Sequence, residues 1–231
     1  MRWPTPKPTL LEGDMAAKHT YVSADDEIYF FFEYTSGGGY QHSDGNDLVS
    51  NLQKDVVRFG DKSNIMRYKA QAIQHCRDLI VKGFKNDIIS ETCVVPVPPS
   101  IVPGEEGHDD RMLQVARGVF AKIDASSTGG PRDLIRQRRS IRKSKASTGD
   151  RVSVEELMEV YSIDEKLIEP RPHRIAIIDD VLTVGRHWYA VKERIVEAFP
   201  AAEIFGIFVS RAVSPTPSAF DVFDAFKGND S

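Results

Sequence analysis

Residues 174–187 narrow what this chain can fold into more than any other stretch. Ile175-Ala176-Ile177-Ile178 is an apolar run with no polar position, Asp179 and Asp180 follow it, and Thr183-Val184-Gly185-Arg186-His187 leads into an amphipathic segment over residues 187–199. A strand without a polar face must be covered on both sides, as strands of parallel sheets are. Residues 203–211 read as another strand that contains a continuous apolar run, so strand, helix and strand follow one another with short connections. That is a βαβ unit, and it predicts an α/β fold with a mostly parallel twisted sheet flanked by helices. Open sheets of this kind bind ligands outside the C-terminal ends of their strands, where the acid pair falls. The turn at 183–187 enters a helix N-terminus, whose free N–H groups and dipole favour a phosphate, and Gly185 lets backbone approach an anion closely. Carboxylates for hydroxyls and a cradle for phosphate, a few residues apart, suit a sugar phosphate.

The rest of the chain reads more coarsely. Residues 1–20 are polar and proline-rich and are expected to form an arm, and the aromatic cluster Ile28 to Phe32 favours a strand, in a hairpin or small sheet. Ser36-Gly37-Gly38-Gly39 lacks the spacing of a nucleotide loop and reads as a turn. Leu48, Leu52, Val56 and Phe59 recur at helical spacing, as do Ile65, Tyr68, Ala72, Cys76, Leu79 and Ile80 ahead of Gly83. His75, within that second helix, has no partner at ligand spacing. A buried strand over 91–97 must stop at Pro98-Pro99, and Asp109 or Asp110 is placed to cap a helix with Met112, Val115, Ala116, Val119 and Ile123 on its apolar face. Ser153-Val154-Glu155-Glu156 is a capping-box pattern.

The formal charge of −4 conceals a basic segment, since residues 132–151 hold eight Arg or Lys against Asp133 and Asp150. That segment can meet an anion or a nucleic acid, and its small polar residues 147–149 suggest a mobile loop. Two cysteines, Cys76 and Cys93, are too few for a disulfide framework and are expected to be buried thiols. Prolines occupy the N-terminal stretch where a signal peptide would be apolar, and no run approaches the ~20 residues of a membrane-spanning helix, so a cytoplasmic location away from membranes is expected.

The apolar strand, acid pair and Thr-x-Gly turn of residues 175–187 resemble the phosphoribosyl pyrophosphate (PRPP) motif of type I phosphoribosyltransferases. A phosphorylation receiver domain also sets an acidic pair after an apolar strand, but near its start, and too little chain follows Asp180 here. The resemblance implies that Asp179 and Asp180 bind the ribose hydroxyls and that Thr183, Val184, Gly185, Arg186 and His187 hold the 5′-phosphate. His187 stands where the family has a hydroxyl residue, and Arg186 is bulkier than usual; both replacements could supply positive charge. Val94-Val95-Pro96-Val97-Pro98-Pro99-Ser100 is similar to the family's strand and pyrophosphate loop, in wording nearest the ComF-like competence members, which makes Pro98, Pro99 and Ser100 pyrophosphate-loop candidates. The basic segment falls where the family keeps a loop that closes over PRPP, with Arg139, Arg142, Lys143 and Lys145 as its candidate cations. The resemblance covers about residues 64–213. It implies a core over 61–231, with a C-terminal tail, and an arm and small hood over 1–60. It further implies transfer of phosphoribosyl to a nitrogen acceptor with release of pyrophosphate, Mg²⁺ held mainly by PRPP without direct protein ligands, and room for a homodimer. A non-catalytic PRPP or nucleotide sensor and a ComF-like DNA-handling protein are the alternatives. The acceptor base has no recognisable motif.

Overall fold

The structure is a computed structural model that describes residues 3–60, 62–141 and 152–214. In chain order the elements are β1 (Thr9–Leu10), α1 (Gly13–Ala16), β2 (Glu27–Thr35), α2 (Asp44–Leu52), α3 (Val56–Phe59), α4 (Ser63–Gly83), α5 (Asn86–Ser90), β3 (Thr92–Pro96), α6 (Arg111–Phe120), β4 (Gly130–Pro131), β5 (Ile135–Gln137), α7 (Val154–Val160), β6 (Tyr161–Ile163), a 3-10 turn at Glu165–Leu167, β7 (Arg174–Leu182), α8 (Arg186–Ala198) and β8 (Glu203–Val213).

Six strands make one sheet in the order β1-β2-β8-β7-β3-β4, and all neighbours are parallel except the β1–β2 pair at one edge. The α/β architecture with a mostly parallel sheet flanked by helices follows the expectation from the apolar strands. Side chains alternate across the sheet. Val94, Ala176, Ile178 and Ile207 point into a core shared with α2, α4 and α6, through Leu52, Leu79 and Val115. Cys93, Val95, Ile175 and Ile177 point the other way, onto α7 and α8 through Leu157, Trp188, Val191 and Ile195.

The strand order reverses between β3 and β7. From β3 the chain crosses through α6 to β4 at one edge; β7 then takes the opposite side of β3, and α8 leads outward to β8. The two crossover helices lie on opposite faces, which a reversal produces when both crossovers keep the same hand. A crevice opens outside the C-terminal strand ends at such a seam.

The resemblance implies an arm and small hood over residues 1–60, and within that span β2 is a full member of the sheet, running parallel to β8 from Glu27↔Phe205 to Thr35↔Val213. The reason is burial on both faces: Ile28 and Phe30 join the core under α8 while Phe31 and Phe32 join the core under α2 and α4. A second, two-stranded antiparallel sheet, β5 with β6, comes from the middle of the chain. The continuous periodicity across residues 48–59 hides a break, because Asp55 accepts from the N–H groups of Val57 and Arg58 and starts α3 anew. Ser153 caps α7 as read, its hydroxyl accepting from the Glu156 N–H. Among the described residues no helix is long and apolar enough to cross a membrane.

Candidate functional site

An open cleft of about 1360 Å³ lies over the C-terminal ends of β3 and β7, and every predicted site residue from Pro98 to Ser100 and from Asp179 to His187 lines it except Gly185. Its far walls come from α2 and α3 through Gln53 and Val56, and from the small sheet and α7 through Gln137 and Glu156.

The two aspartates are not a matched pair. Successive strand residues face opposite sides, so Asp180 lies on the side of α2 and α6 and Asp179 on the side of α7 and α8. Asp180 is buried, and its Oδ2 accepts from Arg111 Nε at 2.9 Å, Arg111 Nη2 at 2.6 Å and Gln53 Nε2 at 2.9 Å. Arg111 continues to Asp109 at 2.9 Å, which pairs with Lys69 at 2.7 Å; the buried Lys69 ammonium also caps the Leu52 and Lys54 carbonyls. Burial opposes the charge on Asp180, but the Arg111 guanidinium and these hydrogen bonds outweigh it and hold its pKa below the ordinary carboxylate value. Asp179 is partly exposed to the cleft and, among the described residues, accepts only the Asp180 N–H, at 2.8 Å. Burial and the neighbouring Asp180 charge raise its pKa. One carboxylate is therefore a fixed anion within an ion-pair chain, and the other is the less satisfied group.

The turn after β7 is held from behind. Tyr21 N–H donates to the Val184 carbonyl at 2.9 Å, and His19 Nδ1–H donates to the Thr183 carbonyl. Desolvation lowers the His19 pKa, so it serves as a neutral donor. Gly185 has φ +91° and caps α8 without a side chain; a Cβ there would come within 3.1 Å of Val22 and 3.3 Å of the Tyr21 backbone, so the close fit and the left-handed conformation both require glycine. The first-turn N–H groups of α8 have no intrahelical acceptor and open toward the cleft end of β7. Arg186 stacks on Tyr21, 5.6 Å from the ring centroid, and its buried Nε has no partner among the described residues.

His187 Nδ1 lies 2.8 Å from the Tyr161 hydroxyl. Desolvation depresses its pKa, with Asp180 opposing and Arg186 adding to the effect. The positive charge that the sequence suggests for this position is thus disfavoured, and the residue acts as a neutral imidazole.

The loop after β3 reaches the cleft, but Pro98 and Pro99 carry no N–H, so donors to an anion begin at Ser100. The Ser100 carbonyl is clipped to the small sheet's flank by Ile141 N–H at 2.7 Å and Gln137 Nε2 at 2.7 Å. Arg139 does not line the cleft but lies 3.4 Å from Glu156, which does, and Arg136 lines the cleft while paired with Asp133 and Asp164. Arg142, Lys143 and Lys145 lie outside the described residues. Asp110, not Asp109, takes the N-cap position of α6, and without a side-chain cap bond. Sequence reading missed Arg111, Gln53, His19 and Tyr161. Arg111 carried one signal, a cation directly behind two aspartates at a helix start; the other three carried none. Among the described residues no cluster of His, Cys, Asp or Glu is assembled to hold a metal ion. No protein-family model matches the chain, and no curated protein matches it.

Proposed function

We propose that the cleft binds PRPP with Mg²⁺ and that the chain is a type I phosphoribosyltransferase-like protein, transferring phosphoribosyl to a nitrogen acceptor with release of pyrophosphate. The observation that carries this reading is the convergence, at the one seam where strand order reverses, of a glycine-capped helix N-terminus and a partly exposed carboxylate on the adjoining strand end. In this reading the first turn of α8 holds the 5′-phosphate, and Asp179 accepts from ribose hydroxyls. Asp180 stays paired with Arg111 and anchors the end of β7 that carries Asp179, beside which the C1–oxygen bond would break and the C1–nitrogen bond form. Ser100 and Arg136 line the end where pyrophosphate would depart. A Mg²⁺ carried by the diphosphate would offset leaving-group charge, and Asp179, which has no cationic partner among the described residues, is the carboxylate that would face it in the cleft.

Calorimetric titration with PRPP, with and without Mg²⁺, followed by pyrophosphate release across a panel of purine and pyrimidine bases, tests the reading. Binding with release for one acceptor is the expected result. Absence of PRPP binding at millimolar concentration overturns it, and binding without release across the panel turns it into a PRPP sensor.

A further inference from the structure

We propose that Tyr161 is a positioning residue that fixes His187 as the Nε2–H tautomer, making a neutral imidazole the side-chain donor to a phosphate monoester seated on the N-terminus of α8. The inference rests on the phosphate-loop reading above and deepens it by assigning the group that replaces the missing hydroxyl.

Tyr161 is 1% exposed, and among the described residues the one partner of its hydroxyl is His187 Nδ1 at 2.8 Å, with the rings 6.3 Å apart. Burial and the Asp179 charge keep the phenol protonated, so its proton needs an acceptor, and Nδ1 provides one. A neutral imidazole that accepts at Nδ1 must carry its proton on Nε2. That nitrogen lies across the ring from Tyr161, on a residue that lines the cleft in the first turn of α8. The groups that bear on this imidazole are Tyr161 from β6, Asp180 from β7 and Arg186 from its own helix, while Asp179 acts on the Tyr161 phenol. Of these, Tyr161 alone is bonded to the ring.

The position of Tyr161 explains why it can hold a ring so firmly. Its backbone N–H closes α7 on the Leu157 carbonyl, and it pairs with Gln137 in the small sheet, while Gln137 in turn grips the Ser100 carbonyl. The loop after β3 and the helix after β7 therefore share one rigid tie through β5 and β6. A phosphate donor fixed by this tie is set in the same frame as the opposite end of the cleft.

The test combines nitrogen-15 NMR of labelled histidine, with the His187 signals identified by their loss in His187→Thr, and titration with inorganic phosphate and ribose 5-phosphate. Wild type is expected to show the Nε2–H tautomer with a hydrogen-bonded Nδ1 at neutral pH. Tyr161→Phe is expected to shift the Nδ1 signal and weaken both ligands about five- to tenfold. In a His187→Thr background the same Tyr161→Phe change should leave affinity unaltered, which a merely structural role would not do. An Nδ1–H tautomer in wild type overturns the proposal whether or not the Phe variant folds, as does equal phosphate affinity in wild type and Tyr161→Phe. Phosphate binding that behaves as expected, alongside no PRPP binding, sinks the transferase reading and leaves this one standing. No binding of either phosphate ligand to wild type sinks both.

Discussion

Replacing Arg111 by Met would remove the main counter-charge of a buried carboxylate while keeping most of the side-chain volume. Asp180 is 8% exposed at its side chain and would lose two of the three hydrogen bonds to Oδ2, keeping Gln53; Asp109 would lose one contact but keep Lys69 at 2.7 Å. Removing one partner of a fully buried pair costs about 3–5 kcal/mol. Because the Arg111 side chain is 22% exposed, solvent screening moves the expectation down to about 2–3 kcal/mol at pH 7.5. For a chain of this size that is a fall in Tm of about 5–10 °C. The pH dependence has a definite sign. Arg111 depresses the folded pKa of Asp180, so its stabilisation is present above the unfolded carboxylate value of about 3.9 and is lost as pH falls through the folded value. Without Arg111 the folded pKa rises, Asp180 takes up a proton closer to neutrality, and the penalty shrinks toward acid. The gap between wild type and variant should be widest near pH 7.5 and narrow by pH 5, and adding Asp180→Asn to Arg111→Met should recover much of the loss. Thermal and urea unfolding from pH 5 to 8 measure this; a loss below about 1 kcal/mol at pH 7.5, or a gap that does not change with pH, would refute the account of Asp180 as a paired anion.

Asp179→Asn should weaken PRPP binding at least about tenfold, judged by calorimetry above pH 8, where Asp179 is charged past its raised pKa of about 8. Because burial and Asp180 raise the Asp179 pKa in the fold, wild-type stability falls as pH rises from the unfolded carboxylate value through the folded one, so the Asn variant should gain on wild type in melting curves between pH 5 and 8. Gly185→Ala, which forces a side chain to φ +91° against Val22 and Tyr21, should cost about 1–2 kcal/mol in urea unfolding and reduce phosphate affinity; unchanged stability would show that the turn is looser than described. Cys76 and Cys93 are 1% and 0% exposed with thiol pKa values raised by burial, so a thiol-reactive chromophore at pH 8 should label neither in the native protein and both in denaturant.

The βαβ unit β7-α8-β8 was legible because its apolar runs, Ile175–Ile178 and 204–209, leave no polar face and because Gly185 marks where backbone must turn. The helices α4, α6 and α7 were legible from apolar spacing and from the Ser153 cap for the same local reason. Strand order was not. Nothing within residues 27–35 says that they pair with β8, since that follows from both faces of Ile28 to Phe32 finding cover in distant elements. The strands β5 and β6 are three residues each, too short for a period of two to show. The acid pair was found, but its asymmetry was hidden, because Arg111 lies 69 residues from Asp180 and Tyr161 lies 26 from His187. Charge pairing across the fold decides which carboxylate is spoken for.

The place of β2 in the sheet has a consequence for how the chain is made. Its main neighbour, β8, is synthesised last among the described strands, and contacts such as Glu33 with Arg211 span 178 residues. Until β8 emerges, Ile28, Phe30, Phe31 and Phe32 can be sheltered only by the two-residue β1 and by incomplete helical cover. Pairings this distant close slowly, and an aromatic strand with an unpaired edge is prone to associate with other chains while it waits. Refolding yield should therefore depend steeply on protein concentration, and in the cell the first half of the nascent chain becomes a natural client for a chaperone that holds extended apolar segments.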